Sequence, residues 1–242
     1  MRFKPFRFKR LLLACLLLHT ESSVQTYNLV VKYLRKIVLE QTLGQMSDGH
    51  RIHCGTEADG RYVINHSSFD IVDLITDYSR PNVMLPETND ALLKQTLDQF
   101  DEGIVLQTDK EGRGLISRTL CQSEVYFYAA NDAEAEKPED EPQLMKATSK
   151  HCLFSYDKFV NEWYRYLLSP ATTPRPEAQS VFNLGRKPTS RGDENLISFS
   201  LMPQAAEVML ELADNWKLAR LNGEEGGDQN NKIIEVLKLV GQ

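Results

Sequence analysis

The side chains best suited to chemistry are His50, His53, Cys54, His66 and the pair His151-Cys152. Imidazole and thiolate hold zinc, in sets of three or four at short spacings. His50 and His53 stand three apart in a stretch that reads as a strand, so they point to opposite faces and cannot share one ion. A chance cluster is the simpler account. No HExxH, GxSxG or GxxxxGK[ST] occurs, which leaves no basis for a zinc protease, a serine hydrolase or a phosphate-cradling loop. Acids are abundant, but they lie in surface patterns. No pair stands in an apolar setting that would raise a pKa for general acid–base work. The expectation is therefore no enzyme, no metal, no cofactor and no small-molecule ligand.

One stretch mixes a cysteine, an arginine and close-set aromatics: RGLISRTLCQSEVYFY, Arg113 to Tyr128. Its alternation predicts a strand with Cys121, Ser123, Val125 and Phe127 on one face and Gln122, Glu124, Tyr126 and Tyr128 on the other. Cys121 then reads as a small core residue, not a nucleophile.

Other segments supply the frame for that stretch. YNLVVKY and KIVLEQT predict a hairpin around Leu34-Arg35, and RIHCG a further short strand. Asp70 to Tyr78 fits strand or helix. RPNVMLP reads as a proline-bounded loop, after which Thr88 or Asn89 caps a helix running to about Asp101, with Gly103 ending it. GIVLQ is a strand before a glycine turn. DAEAEKPEDE carries too many charges to bury and reads as a solvated loop. Ser155 caps a helix whose apolar face is Tyr156, Phe159, Val160, Trp163, Tyr164, Leu167 and Leu168, stopped by Pro170 and Pro174. SVFNLG and LISFSLM form another strand pair around RGDEN. Pro203 opens a helix carrying Ala205, Met209, Leu212 and Trp216 on one face. NGEEGGDQNN breaks it before the amphipathic KIIEVLKLV. Many short strands with few helices predict a mainly β fold with helices packed at its ends.

The chain has 242 residues, 41% hydrophobic and 26% charged, enough for one domain with a substantial core. Its net charge is −6, although the first ten residues hold five basic side chains and no acid. The remaining body is strongly acidic, which argues against a nucleic-acid surface. Residues 1–25 read as a separate basic and apolar segment, with an apolar run Leu11–Leu18 too short to span a bilayer. The pattern is that of a secretory signal peptide or of an artefactual gene-model start. Cleavage near Ser22 would leave three cysteines, an odd number that leans against secretion. The sequon Asn65-His66-Ser67 leans the other way. Arg191-Gly192-Asp193 spells an adhesion tripeptide inside an ordinary turn sequence.

Laid end to end, these elements resemble the association domain of the interferon regulatory factor family. Phe100 to Phe127 matches its helix, D-x-G turn, strand, glycine turn and R-x-C-Q-x-x-V-Y, here Arg118, Cys121, Gln122, Val125 and Tyr126 with one extra residue near Leu120. CLFSYDKFVNEW is similar to the K-L-F-x-x-x-x-F-x-x-x-L helix, and LISFSLMPQAAEVM to L-I-x-V-x-x-x-P-x-x-A-R. The family's C-F-G-E-x-W-P-D segment is reduced to Phe182–Arg186 without the tryptophan. The resemblance covers about residues 27 to 240, and the tryptophan-rich DNA-binding domain has no counterpart. It implies a β-sandwich with flanking helices, like the Smad C-terminal and forkhead-associated domains, with the association domain at 26–220 and a Gly-rich break plus amphipathic helix at 221–242. It implies a nuclear and cytoplasmic transcription regulator that binds other interferon regulatory factors, related transcription factors and coactivators; a secreted binding protein is the alternative. By resemblance Arg118 pairs with acidic or phosphorylated partner segments, or else closes an internal ion pair. Arg113 on the preceding turn is a weaker candidate. The faces around Leu212 and Trp216 and around Ile233 and Leu237 serve either as partner surface or as core packing.

Overall fold

The computed structural model describes residues 26–44, 49–54, 82–109, 114–131, 141–146, 149–191 and 196–221. The strand-or-helix segment Asp70–Tyr78, the acidic loop to Asp140, the sequon and the C-terminal amphipathic stretch all lie outside these residues.

β1 (Tyr27–Tyr33) and β2 (Lys36–Leu43) form the expected hairpin. Leu34 and Arg35 both take positive φ, 47° and 71°, because a two-residue hairpin loop must twist with its strands. β3 (His50–His53) and β4 (Asn82–Met84) follow, then α1 (Ala91–Asp98), β5 (Ile104–Thr108), β6 (Gly114–Thr119), β7 (Val125–Tyr128), β8 (Gln143–Leu144) and β9 (His151–Ser155). α2 (Tyr156–Leu168), β10 (Ser180–Leu184), β11 (Ile197–Pro203) and α3 (Gln204–Leu221) complete the order.

The strands make two sheets, ordered β2-β1-β11-β10-β7-β8 and β4-β3-β5-β6-β9. Pairing is antiparallel except between β3 and β4. Facing side chains fill the space between the sheets. Phe127, Phe182 and Phe199 form one row across β7, β10 and β11, with ring centroids 6.3 and 4.5 Å apart. From the other sheet Ile52, Ile104 and Leu106 are fully buried. The fold is mainly β, a sandwich with three helices among the described residues.

Several elements depart from the sequence expectation. Arg113–Tyr128 is not one strand: β6 belongs to one sheet and β7 to the other, and the chain crosses between them through Leu120–Glu124. Backbone N–H groups of Leu120 and Cys121 donate to Gly103 O at this crossing. Gly103 has φ 69°, and a Cβ there would lie 1.8 Å from Ile52 O, so only glycine fits. RPNVMLP contributes β4, and HCLF forms β9 before the helix begins. α1 is capped by Asp90, whose carboxylate accepts from Leu92 and Leu93 N–H, and it ends by Asp98. Tyr166, not Leu168, completes the buried face of α2; Leu168 is 53% exposed. Pro203 ends β11 opposite Tyr27, and α3 begins at the next residue. Among the described residues no helix is long and apolar enough to cross a membrane.

Candidate protein-interaction site

In β6, Leu115, Ser117 and Thr119 are buried against the core, which turns Ile116 and Arg118 to the outer face. Register fixes the neighbours of Arg118. It stands opposite Val105, which stands opposite Arg51, which stands opposite Asn82. Lys150, exposed, directly precedes β9 and its residue His151, the ladder partner of Ser117. This outer row therefore gathers cations in a protein of acidic composition.

The two arginines differ in their surroundings. Arg51 Nε donates to Glu102 O at 2.9 Å. Burial lowers its pKa, opposed by the carboxylates of Glu102 and Asp101. Burial in turn raises Glu102, Asp101 adds to that rise, and Arg51 opposes it. Arg118 is half-buried, its Nε is shielded from solvent, and its guanidinium has no hydrogen-bond or ion-pair partner among the described residues. The internal ion pair weighed from sequence is absent there. A desolvated donor without an acceptor is costly to hold and suits an incoming anion.

The remaining candidates fall elsewhere. Arg113, Ile233 and Leu237 lie outside the described residues. Leu212 and Trp216 are half-buried on α3, and Trp216 packs against the core. α3 rests on α2, where Trp163 Nε1 donates to Met209 O at 2.6 Å, and follows directly from β11. β11 is in the six-stranded sheet and Arg118 in the five-stranded one, so the two candidate surfaces belong to different layers. Arg51 was missed because its place in the same row as Arg118, on the far side of Val105, depends on register across β3, β5 and β6, which one sequence does not reveal. The alternation of HRIH around a polar position was the available signal.

Of the chemical groups weighed first, His66 lies outside the described residues. His50 and His53 are both buried and point to opposite faces, and His50 Nε2 contacts Gly44 O. No group of His, Cys, Asp and Glu suited to a metal occurs among the described residues. Burial pushes the Cys121 thiol up, partly offset by Thr119 and Ser123, which keeps it protonated. Arg191 of the adhesion-like tripeptide is committed internally: its Nη2 contacts Gln179 O, and it lies 3.7 Å from Glu177 and 5.9 Å from the Tyr128 ring centroid. A cavity of about 400 Å³ on the six-stranded sheet is lined by Asn28, Glu40, Thr42, Gln179, Ser200 and Glu207 among others, with no histidine or cysteine.

Comparison with known proteins gives a consistent result. The family model described as Interferon-regulatory factor 3 matches residues 24–214. The solved structure titled Interferon Regulatory Factor 9 IAD Domain superposes with a TM-score of 0.58 at 20% identity, covering 82% of this chain and 93% of that one. A chain from the structure of STAT2 in complex with IRF9 gives 0.56 at 19%, covering 78% and 96%. No curated protein sequence matches. With its sandwich, flanking helices and matched span, the chain belongs to the interferon-regulatory factor 3 family and carries its association domain, a non-enzymatic interaction fold.

Proposed function

We propose that this chain is the partner-binding domain of an interferon regulatory factor-like transcription factor. It mediates homo- and heterodimerisation and coactivator binding, and so regulates RNA polymerase II transcription of immune genes from the nucleus and cytoplasm. The association domain occupies 26–220, preceded by a basic and apolar segment and followed by a Gly-rich break and an amphipathic helix. Support comes from the family match and from a structural neighbour solved as STAT2 in complex with IRF9.

The observation that carries the site is the unpartnered, half-buried guanidinium of Arg118 on the outer sheet face. It receives an acidic or phosphorylated partner segment through charge-assisted bonds, with Arg51 and Lys150 adding positive potential. Arg113, which directly precedes β6 in the sequence, is the weaker candidate for the same role. Leu212 and Trp216 on α3, with Ile233 and Leu237 beyond it, form a second, apolar contact. Capture of interferon regulatory factors and STAT proteins by the purified chain tests this reading. Capture at micromolar concentration that falls at least tenfold in Arg118→Ala and in Leu212→Asp is expected. No capture, or secretion of a reporter-tagged chain with a glycan on Asn65, overturns it.

A further inference from the structure

Only two of the ten prolines follow a serine or threonine, Pro170 and Pro174, and both lie in the loop that joins α2 to β10. The two dipeptides sit in different backbone settings. Ser169 is the C-cap of α2, and its carbonyl accepts from the N–H groups of Thr172 and Thr173 at 3.1 and 2.9 Å. A serine inside that closed turn cannot lie extended in a kinase groove. Thr173 ends the turn, and residues 174–179 run on without helix or strand. Thr172, Pro174 and Arg175 are exposed, Thr173 is half-exposed, and Pro176 is buried and anchors the far side.

The Asp214 carboxylate ties the loop to α3. Arg175 Nε donates to Asp214 Oδ2 at 3.0 Å, and Tyr166 O–H of α2 donates to Asp214 Oδ1 at 2.9 Å. Lys217, one turn along α3, places Nζ 5.5 Å from the Tyr166 ring centroid. Thr173 and Arg175 are two residues apart in the chain, a separation that a phosphate on the threonine side chain can bridge. A phosphate on Thr173 brings about −1.5 to −2 charge and three acceptor oxygens within reach of that guanidinium.

We infer that Thr173-Pro174 is a proline-directed phosphorylation site whose phosphate draws Arg175 off Asp214 and loosens the hold of the loop on α3. The reaction needs a proline-directed serine/threonine kinase and Mg-ATP. Thr173 Oγ1 bonds to the γ-phosphorus and the bond to the β,γ-bridging oxygen breaks. ADP leaves with that electron pair, and the hydroxyl proton passes to the kinase's general base. The consequence for partners rests on α3 being a contact face, as proposed above; the modification and the loosening do not.

The full chain, incubated with Mg-ATP and a proline-directed kinase, is mapped by mass spectrometry and then followed by hydrogen exchange of α3 amides. A synthetic peptide of residues 168–179 verifies the kinase. Phosphate is expected on Thr173 and not on Ser169, with incorporation lost in Thr173→Val and kept in Ser169→Ala. Exchange around Asp214 is expected to rise on the order of two- to fivefold, the range of one exposed ion pair. Arg175→Gln shows that faster exchange already, and phosphorylation adds nothing to it. A modified peptide beside an unmodified folded chain, phosphate on Ser169 alone, or unchanged exchange in the modified chain overturns the inference. Faster exchange with undiminished partner capture sinks only the reading of α3 as a partner face.

Discussion

Arg118 is a position where a functional and a structural role can be separated by substitution. Its buried Nε without an acceptor makes no contribution to folding that a hydrocarbon of equal length would not match. Arg118→Met is expected to leave urea-denaturation stability unchanged or raise it by up to about 1 kcal/mol, while partner capture falls. A loss of stability alongside the loss of capture would mark Arg118 as structural. Tyr27 is the opposite case, fully buried at the start of β1 with its phenol pushed well above 10 by burial and then by Tyr156. The unfolded chain ionises near pH 10 and the folded one above it, so the folded state binds more protons in between and stability falls as pH rises past about 10. Tyr27→Phe is expected to flatten that alkaline fall, read from urea midpoints at pH 9 and pH 11. At this scale Cys121 was legible as a core thiol, because a small apolar residue between buried neighbours has few other fates. The pairing state of Arg118 was not, because it depends on which acids the fold brings near.

Elements were legible where periodicity is local and hidden where the fold supplies the partner. The Ser155 cap and the α2 stripe Tyr156, Phe159, Val160, Trp163 and Leu167 followed from helical spacing alone, whereas the burial of Tyr166 did not. The break between β6 and β7 did not, since a chain that steps from one sheet to the other can keep its alternation on both sides. β4 and β8, three and two residues long, exist only through their ladders. Two elements invite substitution. Asn131, fully buried, donates Nδ2 to Ser155 O at 2.9 Å and accepts Ser155 N–H at 2.7 Å, which fixes the start of α2. Asn131→Ala removes both bonds and leaves buried backbone groups unpaired, so a loss of about 2–4 kcal/mol is expected in equilibrium denaturation. At the β1–β2 turn, Leu34 and Arg35 hold positive φ that asparagine and glycine adopt at lower cost. Replacing the pair by Asn-Gly is expected to stabilise the domain by about 1–2 kcal/mol, seen as a raised thermal midpoint. An unchanged or lowered midpoint would show that the Leu34 side chain, 49% exposed, makes a packing contribution that outweighs the strain.

For the molecule as a whole, the order of strands decides what the minimal unit is. β1 lies between β2 and β11, so the beginning of the described chain is stitched along its length to the last strand before α3, from Tyr27 opposite Pro203 to Tyr33 opposite Ile197. Tyr33 O–H also donates to Pro86 O, a link from this sheet to the strand β4 region of the other. Sequence predicted the hairpin but not that its first strand would be interior, because the β1–β11 pairing joins residues about 170 apart. The consequence is a sharp asymmetry between two truncations. A fragment of residues 26–221 keeps every described strand and helix and is expected to unfold cooperatively with the thermal midpoint of the full chain. A fragment beginning at Lys36 loses only ten more residues. It also removes Tyr27, Leu29 and Val31, each fully buried, and exposes the flank of β11 to solvent. Burial of those three side chains alone is worth roughly 5–8 kcal/mol, comparable to the whole stability of a domain this size. The shorter fragment is therefore expected to show no cooperative transition in circular dichroism. A cooperative melt from it would mean that β11 forms a stable edge without β1, and that the six-stranded sheet is not a single folding unit.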